Sequence, residues 1–209
     1  MKRYHYFLNK LIKSNLGGNI MSTLNIGIIL GSTRQGRVSP QVGEWVKGIA
    51  DGRADANYEI VDITEYDLPF LGTTEGLEPG IAKWNEKLES LDGFVFIVQE
   101  YNHSISGALK NAIDFAREAW FDKAAGIVSY GSTGGARAAE HLRGILGELK
   151  VADVRTHPTL SLFTDFENFA DFKPQDLHLD NVNAMLDEVL AWSGALKPLR
   201  ENAKVTEMI

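Results

Sequence analysis

Cysteine is absent from this chain, so disulfides, thiol nucleophiles and thiolate metal sites are excluded, and a reducing compartment, the cytoplasm, is the expectation. No stretch approaches the roughly 18 uninterrupted apolar residues of a membrane span, so no membrane partner is expected. A basic excess is also lacking. Lys and Arg number 21 against 28 Asp and Glu, a formal charge of −7, which disfavours nucleic acid, because that affinity comes from neutralising phosphates with a cationic face. His5, His103, His141, His157 and His178 show no close pair on one face of an element, so no metal site is expected. Neither the Gly-Lys-Ser/Thr end of a Walker loop nor Gly-x-Gly-x-x-Gly is present, which sets aside an ATPase and an ordinary nicotinamide-binding Rossmann domain. A Gly-x-Ser-x-Gly elbow is missing too, which counts against a serine hydrolase.

What is present is an ordinary globular composition, 44% hydrophobic and 23% charged over 209 residues, enough for one full α/β domain. Leu24 to Leu30 is a short apolar, β-branched run ended by Gly31, the mark of a buried parallel strand. Gly31 to Ser39 is polar and glycine-bearing, and Ser39-Pro40 reads as an N-cap with proline at the first helical position. Val42, Trp45, Val46 and Ile49 then supply one apolar helical stripe. A helix N-terminus under such a loop offers unpaired N–H groups and a positive dipole end to an anion, above all a phosphate. Ser32, Thr33 and Ser39 add hydroxyls there, and Arg34 and Arg37 add guanidinium groups.

Further strands are expected over 58–63, 93–98, 124–130 and, shorter, 151–156. Helices are expected on the stripes Ile81, Trp84, Leu88, Leu91; Leu109, Ala112, Ile113, Ala116; Leu142, Ile145, Leu146, Leu149; and Val182, Met185, Leu186, Val189. The excursion from Asp67 to Glu78, with Pro69, reads as a functional cover at the carboxyl edge of the sheet. Phe163, Phe166, Phe169 and Phe172, three apart among acids, read as a subunit contact, since so small a domain has little interior left for them. Met1 to Ile20 carries Lys2, Arg3, Lys10 and Lys13 and no acid, without the apolar core of a secretory signal. Residues 1–22 are therefore expected to be a poorly ordered extension, with Met21 an alternative start and an organelle-targeting segment the functional alternative. A single domain is expected over 23–198 and a charged, frayed tail over 199–209.

Two polar loops leave buried strands at the place where an open α/β sheet binds ligands. In strand order 2-1-3-4-5 the crevice lies between strands 1 and 3, and the loops there are Gly31–Ser39 and Gln99–Gly107, the latter with Ser106 as N-cap. The turn Gly131-Ser132-Thr133-Gly134-Gly135 follows the fourth strand, where glycines allow a flat ligand to approach the backbone. His103 is the histidine placed in a ligand loop, as a proton carrier or a solvated side chain.

Taken together, the motifs Gly31-Ser32-Thr33-Arg34-Gln35-Gly36-Arg37-Val38-Ser39, Glu100-Tyr101-Asn102-His103-Ser104, Gly107 to Asp114 and Gly131 to Arg137 resemble the NAD(P)H-dependent FMN reductase family over about Leu24 to Leu160. The resemblance implies a flavodoxin-like, doubly wound five-stranded parallel sheet of order 2-1-3-4-5 with helices on both faces. It also implies non-covalent FMN, NADPH or NADH as reductant, and a homodimer or homotetramer. On that analogy Ser32, Arg34 and Ser39 hold the FMN phosphate. Glu100, Tyr101, Asn102 and His103 line the flavin and ribityl chain, and Ser132, Gly134 and Gly135 lie along the ring. The flavin carries the chemistry, with no side-chain nucleophile. The implied activity takes a hydride from the nicotinamide and passes electrons to a quinone, flavin, azo or oxidised-metal acceptor. The alternative is a flavodoxin-type carrier with no hydride step, and a third reading is a scaffold that lost the flavin. Two departures stand out: the family commonly has proline where this chain has Gln99 and Ser106, which predicts a looser loop. No contiguous motif reads the ribose 2′ position, so NADH and NADPH are not distinguished.

Overall fold

The computed structural model describes residues 23–72 and 78–207; the basic extension and residues 73–77 of the excursion lie outside the described residues. β1 (Asn25–Leu30), β2 (Asn57–Asp62), β3 (Gly93–Gln99), β4 (Lys123–Gly131) and β5 (Val151–Asp153) form a parallel sheet in the order β2-β1-β3-β4-β5. β3 and β4 are buried along their whole length, which is why they appear in sequence as apolar runs without alternation.

Successive side chains of each strand point to opposite faces and so feed two cores. Ile26, Ile28, Leu30, Val95 and Ile97 face the first, covered by α1 (Ser39–Asp51) and α5 (Leu177–Glu207). Ile29, Phe94, Phe96 and Val98 face the second, beneath α2 (Glu78–Glu89), α3 (Gly107–Asp114) and α4 (Ala136–Glu148). Trp84 and Trp120 fill that second core, and each indole N–H finds a carbonyl, Ala112 O at 2.8 Å and Ile113 O at 3.1 Å. Because β1 pairs with both β2 and β3, strand order reverses there and opens a crevice at their carboxyl ends.

The sheet's far edge departs from expectation. β5 ends at Asp153, and a further strand, β6 (Thr159–Ser161), pairs with Ser129–Gly131 of β4. The edge is thus one strand broken by His157-Pro158: proline has no N–H for a ladder, and its carbonyl instead accepts from Ser129 N at 3.1 Å. A hairpin follows, β7 (Phe166–Glu167) with β8 (Asp171–Phe172). It corrects the reading of the spaced phenylalanines as a contact surface throughout. Phe166 is only 6% exposed, packed on Tyr130 and Phe172, and Phe172 meets Trp45 edge-on; Phe163 and Phe169 remain exposed and pair at 5.8 Å. The helix α5 does not stop at Leu199. Arg200 donates to Asp122 O at 2.6 Å and to Asp92 Oδ1 at 2.8 Å, and Lys197 reaches Asp92 Oδ2 at 2.9 Å, so the helix is tied at these two residues to the turns that enter β4 and β3.

Candidate functional site

The turns leaving β1 and β3 meet. Arg34 Nε donates to the Tyr101 hydroxyl at 2.8 Å across the crevice. Beneath them, Gln99 Nε2 and Ser106 Oγ both donate to the Gly31 carbonyl, at 2.6 and 2.7 Å. These are the two positions where proline was expected. The predicted loosening is therefore corrected: two side-chain donors pin the β3 turn to the end of β1, and Ser106 also caps α3 by accepting from Leu109 N at 3.1 Å.

In the loop leading into α1, Ser32 is buried and Arg34 is exposed. Helix α1 starts one residue earlier than its expected cap. Val38 occupies the N-cap, so Ser39 is the first helical residue and its hydroxyl does not cap. The Ser39 side chain is fully buried, and although the Tyr130 phenol lies near enough to feel it, Oγ has no partner at hydrogen-bonding geometry. Arg37 is committed elsewhere. It makes a bidentate pair with Asp62 at the end of β2, Nη1 lying 2.7 Å from Oδ1, and also donates to the Ser32 carbonyl. Burial works to raise the Asp62 pKa, but hydrogen bonds from Arg37 and Thr64 outweigh it and hold the carboxyl below its ordinary range. Arg37 thus braces the loop from behind, and Asp62, which the sequence reading did not single out, is its anchor.

Asn102 and His103 sit at the tip of a two-residue turn closed by Tyr101 N to Ser104 O at 2.9 Å and Ser104 N to Tyr101 O at 3.0 Å. Both have positive φ, +46° and +74°, the type I′ pattern that suits asparagine and is tolerated by histidine. His103 is brought against His141 of α4, ring centroids 6.1 Å apart, and His141 Nδ1 contacts Ser104 Oγ at 2.9 Å. The two histidines come from different elements, the β3 turn and α4, a proximity that a search for pairs on one face does not reach. Among the described residues no cluster of three or more His, Asp or Glu could hold a metal.

Glu100 lies under the β4 turn and serves the start of α4. Its Oε1 accepts from Arg137 Nε at 2.6 Å and its Oε2 from Arg137 N at 3.2 Å, a carboxylate at the positive end of a helix. Burial again opposes the charge, but these bonds and one from the Ala138 amide lower the Glu100 pKa. Gly134 and Gly135 adopt φ +68° and +73°, and a Cβ on Gly135 would fall 2.7 Å from Tyr130 N. Tyr130 itself titrates well above its ordinary range, first through burial and then through the neighbouring Tyr101. Ser132 is exposed on the turn.

The excursion from Asp67 is described as far as Gly72. Asn111 of α3 pins it, donating to Pro69 O at 2.6 Å and accepting from Leu71 N at 3.0 Å. Between this segment and α3 runs a cleft of about 470 Å³ lined by Thr33, Tyr66, Leu68, Pro69, Phe70 and Ala108 among others. Thr33 ties it to the β1 turn.

The arrangement offers an anion pocket at a helix N-terminus beside a polar crevice floored by backbone turns. The profile of the family described as NADPH-dependent FMN reductase matches residues 24–165. An NAD(P)H-dependent FMN reductase of Schizosaccharomyces pombe is 34% identical over 151 residues, covering 68% of this chain and 76% of that protein. A quinone reductase of Escherichia coli is 34% identical over 131 residues, covering 59% of this chain and 69% of that one. Among solved structures, FerB, a flavoenzyme NAD(P)H:acceptor oxidoreductase from Paracoccus denitrificans, has the same flavodoxin-like fold, with a TM-score of 0.65, 20% identity, and coverage of 81% of this chain and 98% of that one.

Proposed function

The chain belongs to the NADPH-dependent FMN reductase family, and on that premise we propose that its crevice binds FMN and serves an NAD(P)H oxidoreductase working in two half-reactions. Bound there, FMN would supply the redox chemistry, taking a hydride from NADPH or NADH and passing electrons on to a quinone, flavin, azo or oxidised-metal acceptor. The residues present fit the group. The meeting of the β1 and β3 turns beside the start of α1, where strand order reverses and Arg34 Nε donates to the Tyr101 hydroxyl at 2.8 Å, is the observation that carries this reading, and the buried Ser39 Oγ, without a partner at hydrogen-bonding geometry, would donate to a phosphate oxygen there.

Ser32 and Arg34 complete the phosphate pocket, with Arg37 and Asp62 fixing the loop's shape behind them. Tyr101, Asn102 and His103 form the wall over the ribityl and ring region, and Glu100 holds that wall to α4. Gly134 and Gly135 give a side-chain-free face, with Ser132 at its edge. None of these groups needs to act as nucleophile. We also propose a homodimer or homotetramer, supported by the exposed Phe70, Phe163 and Phe169, and checked by sedimentation.

The test is kinetic. Flavin-stripped protein should recover a visible flavin spectrum with stoichiometric FMN, and initial rates with NADPH and a quinone varied together should give parallel double-reciprocal lines. Intersecting lines would reject the two-half-reaction scheme, and failure to hold FMN would reject the site.

A further inference from the structure

Ser129 and His157, to which no role is given above, form with Gly134 of the flavin face a chain of short contacts under the β4 turn. Ser129 Oγ is fully buried, 2.6 Å from Gly134 O and 2.7 Å from His157 Nε2. A hydroxyl has one proton to give, and a carbonyl can only accept. The Ser129 proton therefore goes to Gly134 O, and the imidazole must supply the other hydrogen. We infer that His157 is a positioning residue: as the Nε2–H tautomer it donates to Ser129 Oγ, orients that hydroxyl onto the Gly134 carbonyl, and so fixes the glycine turn.

The broken edge strand is what makes this possible. β6 pairs with Ser129–Gly131, and Pro158 O accepts from Ser129 N, which brings the neighbouring His157 up to the hydroxyl. Gly134 and Gly135 have no side chains with which to hold the turn themselves. Burial, and after it the charge of Arg143, push the His157 pKa down to about 4, so the ring is neutral at physiological pH. Ser129 is no nucleophile, because it is sealed from solvent and its proton is engaged.

The inference rests on the reading of this turn as a flavin wall, and its test separates the two. In flavin-free wild type carrying ¹⁵N-histidine, long-range ¹H–¹⁵N spectra at neutral pH should show His157 protonated at Nε2 and bare at Nδ1. A ring protonated at Nδ1 alone, or a charged ring, overturns the inference whatever the protein binds. In the loaded protein, His157→Gln, whose amide nitrogen stands near the Nε2 position, should keep FMN affinity within about twofold, whereas His157→Phe should weaken it by about tenfold. His157→Phe should also speed amide exchange at Gly134 and Gly135 in flavin-free protein. Wild-type affinity and exchange in His157→Phe would overturn the role. Wild type that binds no FMN but shows the expected tautomer and exchange would sink the function and leave the turn device standing.

Discussion

Replacing Ser39 by alanine should move stability and affinity in opposite directions. In the flavin-free protein the hydroxyl is buried without a partner, a condition worth about 1–3 kcal/mol of destabilisation, and alanine removes the oxygen while keeping the Cβ. Flavin-free Ser39→Ala should therefore be as stable as wild type or more stable, by up to ~1 kcal/mol after a small loss of packing. In the complex the same oxygen is expected to donate to a dianionic phosphate. A hydrogen bond to a charged group contributes about 1.5–3 kcal/mol, so the Kd for FMN should rise roughly 10- to 150-fold. Riboflavin lacks the phosphate, and its weaker affinity should not change. Urea denaturation of the stripped proteins gives the first quantity, and quenching of flavin fluorescence gives the other two. The reasoning is refuted if Ser39→Ala destabilises the flavin-free protein by more than ~1 kcal/mol and leaves the ratio of FMN to riboflavin affinity where it was.

Other perturbations follow from the same contacts. Asn111→Ala removes two hydrogen bonds to residues 69–71, so hydrogen exchange and proteolysis should rise there, with a stability loss of about 1–2 kcal/mol by denaturant titration. Gly36→Ala and Gly135→Ala share a left-handed backbone, but Gly36 faces open space while Gly135 abuts Tyr130 N. The first should lose only the ~1–2 kcal/mol of the left-handed conformation, and the second distinctly more. The His157 pKa lies below its ordinary 6.5, at about 4, so the unfolded chain takes up that proton first. Stability should then fall as pH drops from 6.5 toward 4, and His157→Gln should lack that part of the slope. Below this window both proteins should keep losing stability. Burial of Asp62, Asp92 and Glu100 is outweighed by hydrogen bonds to their charged forms, which holds their pKa values low, and that stabilisation disappears as they protonate.

The central strands were legible because β1, β3 and β4 are covered on both faces and so carry unbroken apolar runs bounded by glycine or polar turns. The start of the helix after β1 was legible for a related reason, since Ser39-Pro40 and the stripe from Val42 place it within a residue of where it lies. What escaped sequence reasoning depends on partners far along the chain. The Arg37 guanidinium reads as a free cation until β2 brings Asp62 to it, and Gln99 and Ser106 read as lost prolines until both meet the Gly31 carbonyl. His103 and His141 lie on different elements, so no spacing rule joins them. Phe169 at φ +58° turns the β7–β8 hairpin, a conformation its type disfavours, so a three-residue aromatic spacing concealed a bend held by tertiary contacts.

The account's central claim, that the turns after β1, β3 and β4 make one crevice able to hold FMN for reduction by a nicotinamide, is tested most directly by anaerobic stopped-flow mixing of FMN-loaded protein with NADPH or NADH. The account predicts that the oxidised-flavin absorbance bleaches within a single turnover and returns when a quinone is added. A flavin that binds but stays oxidised with both nucleotides would contradict it and point to an electron carrier.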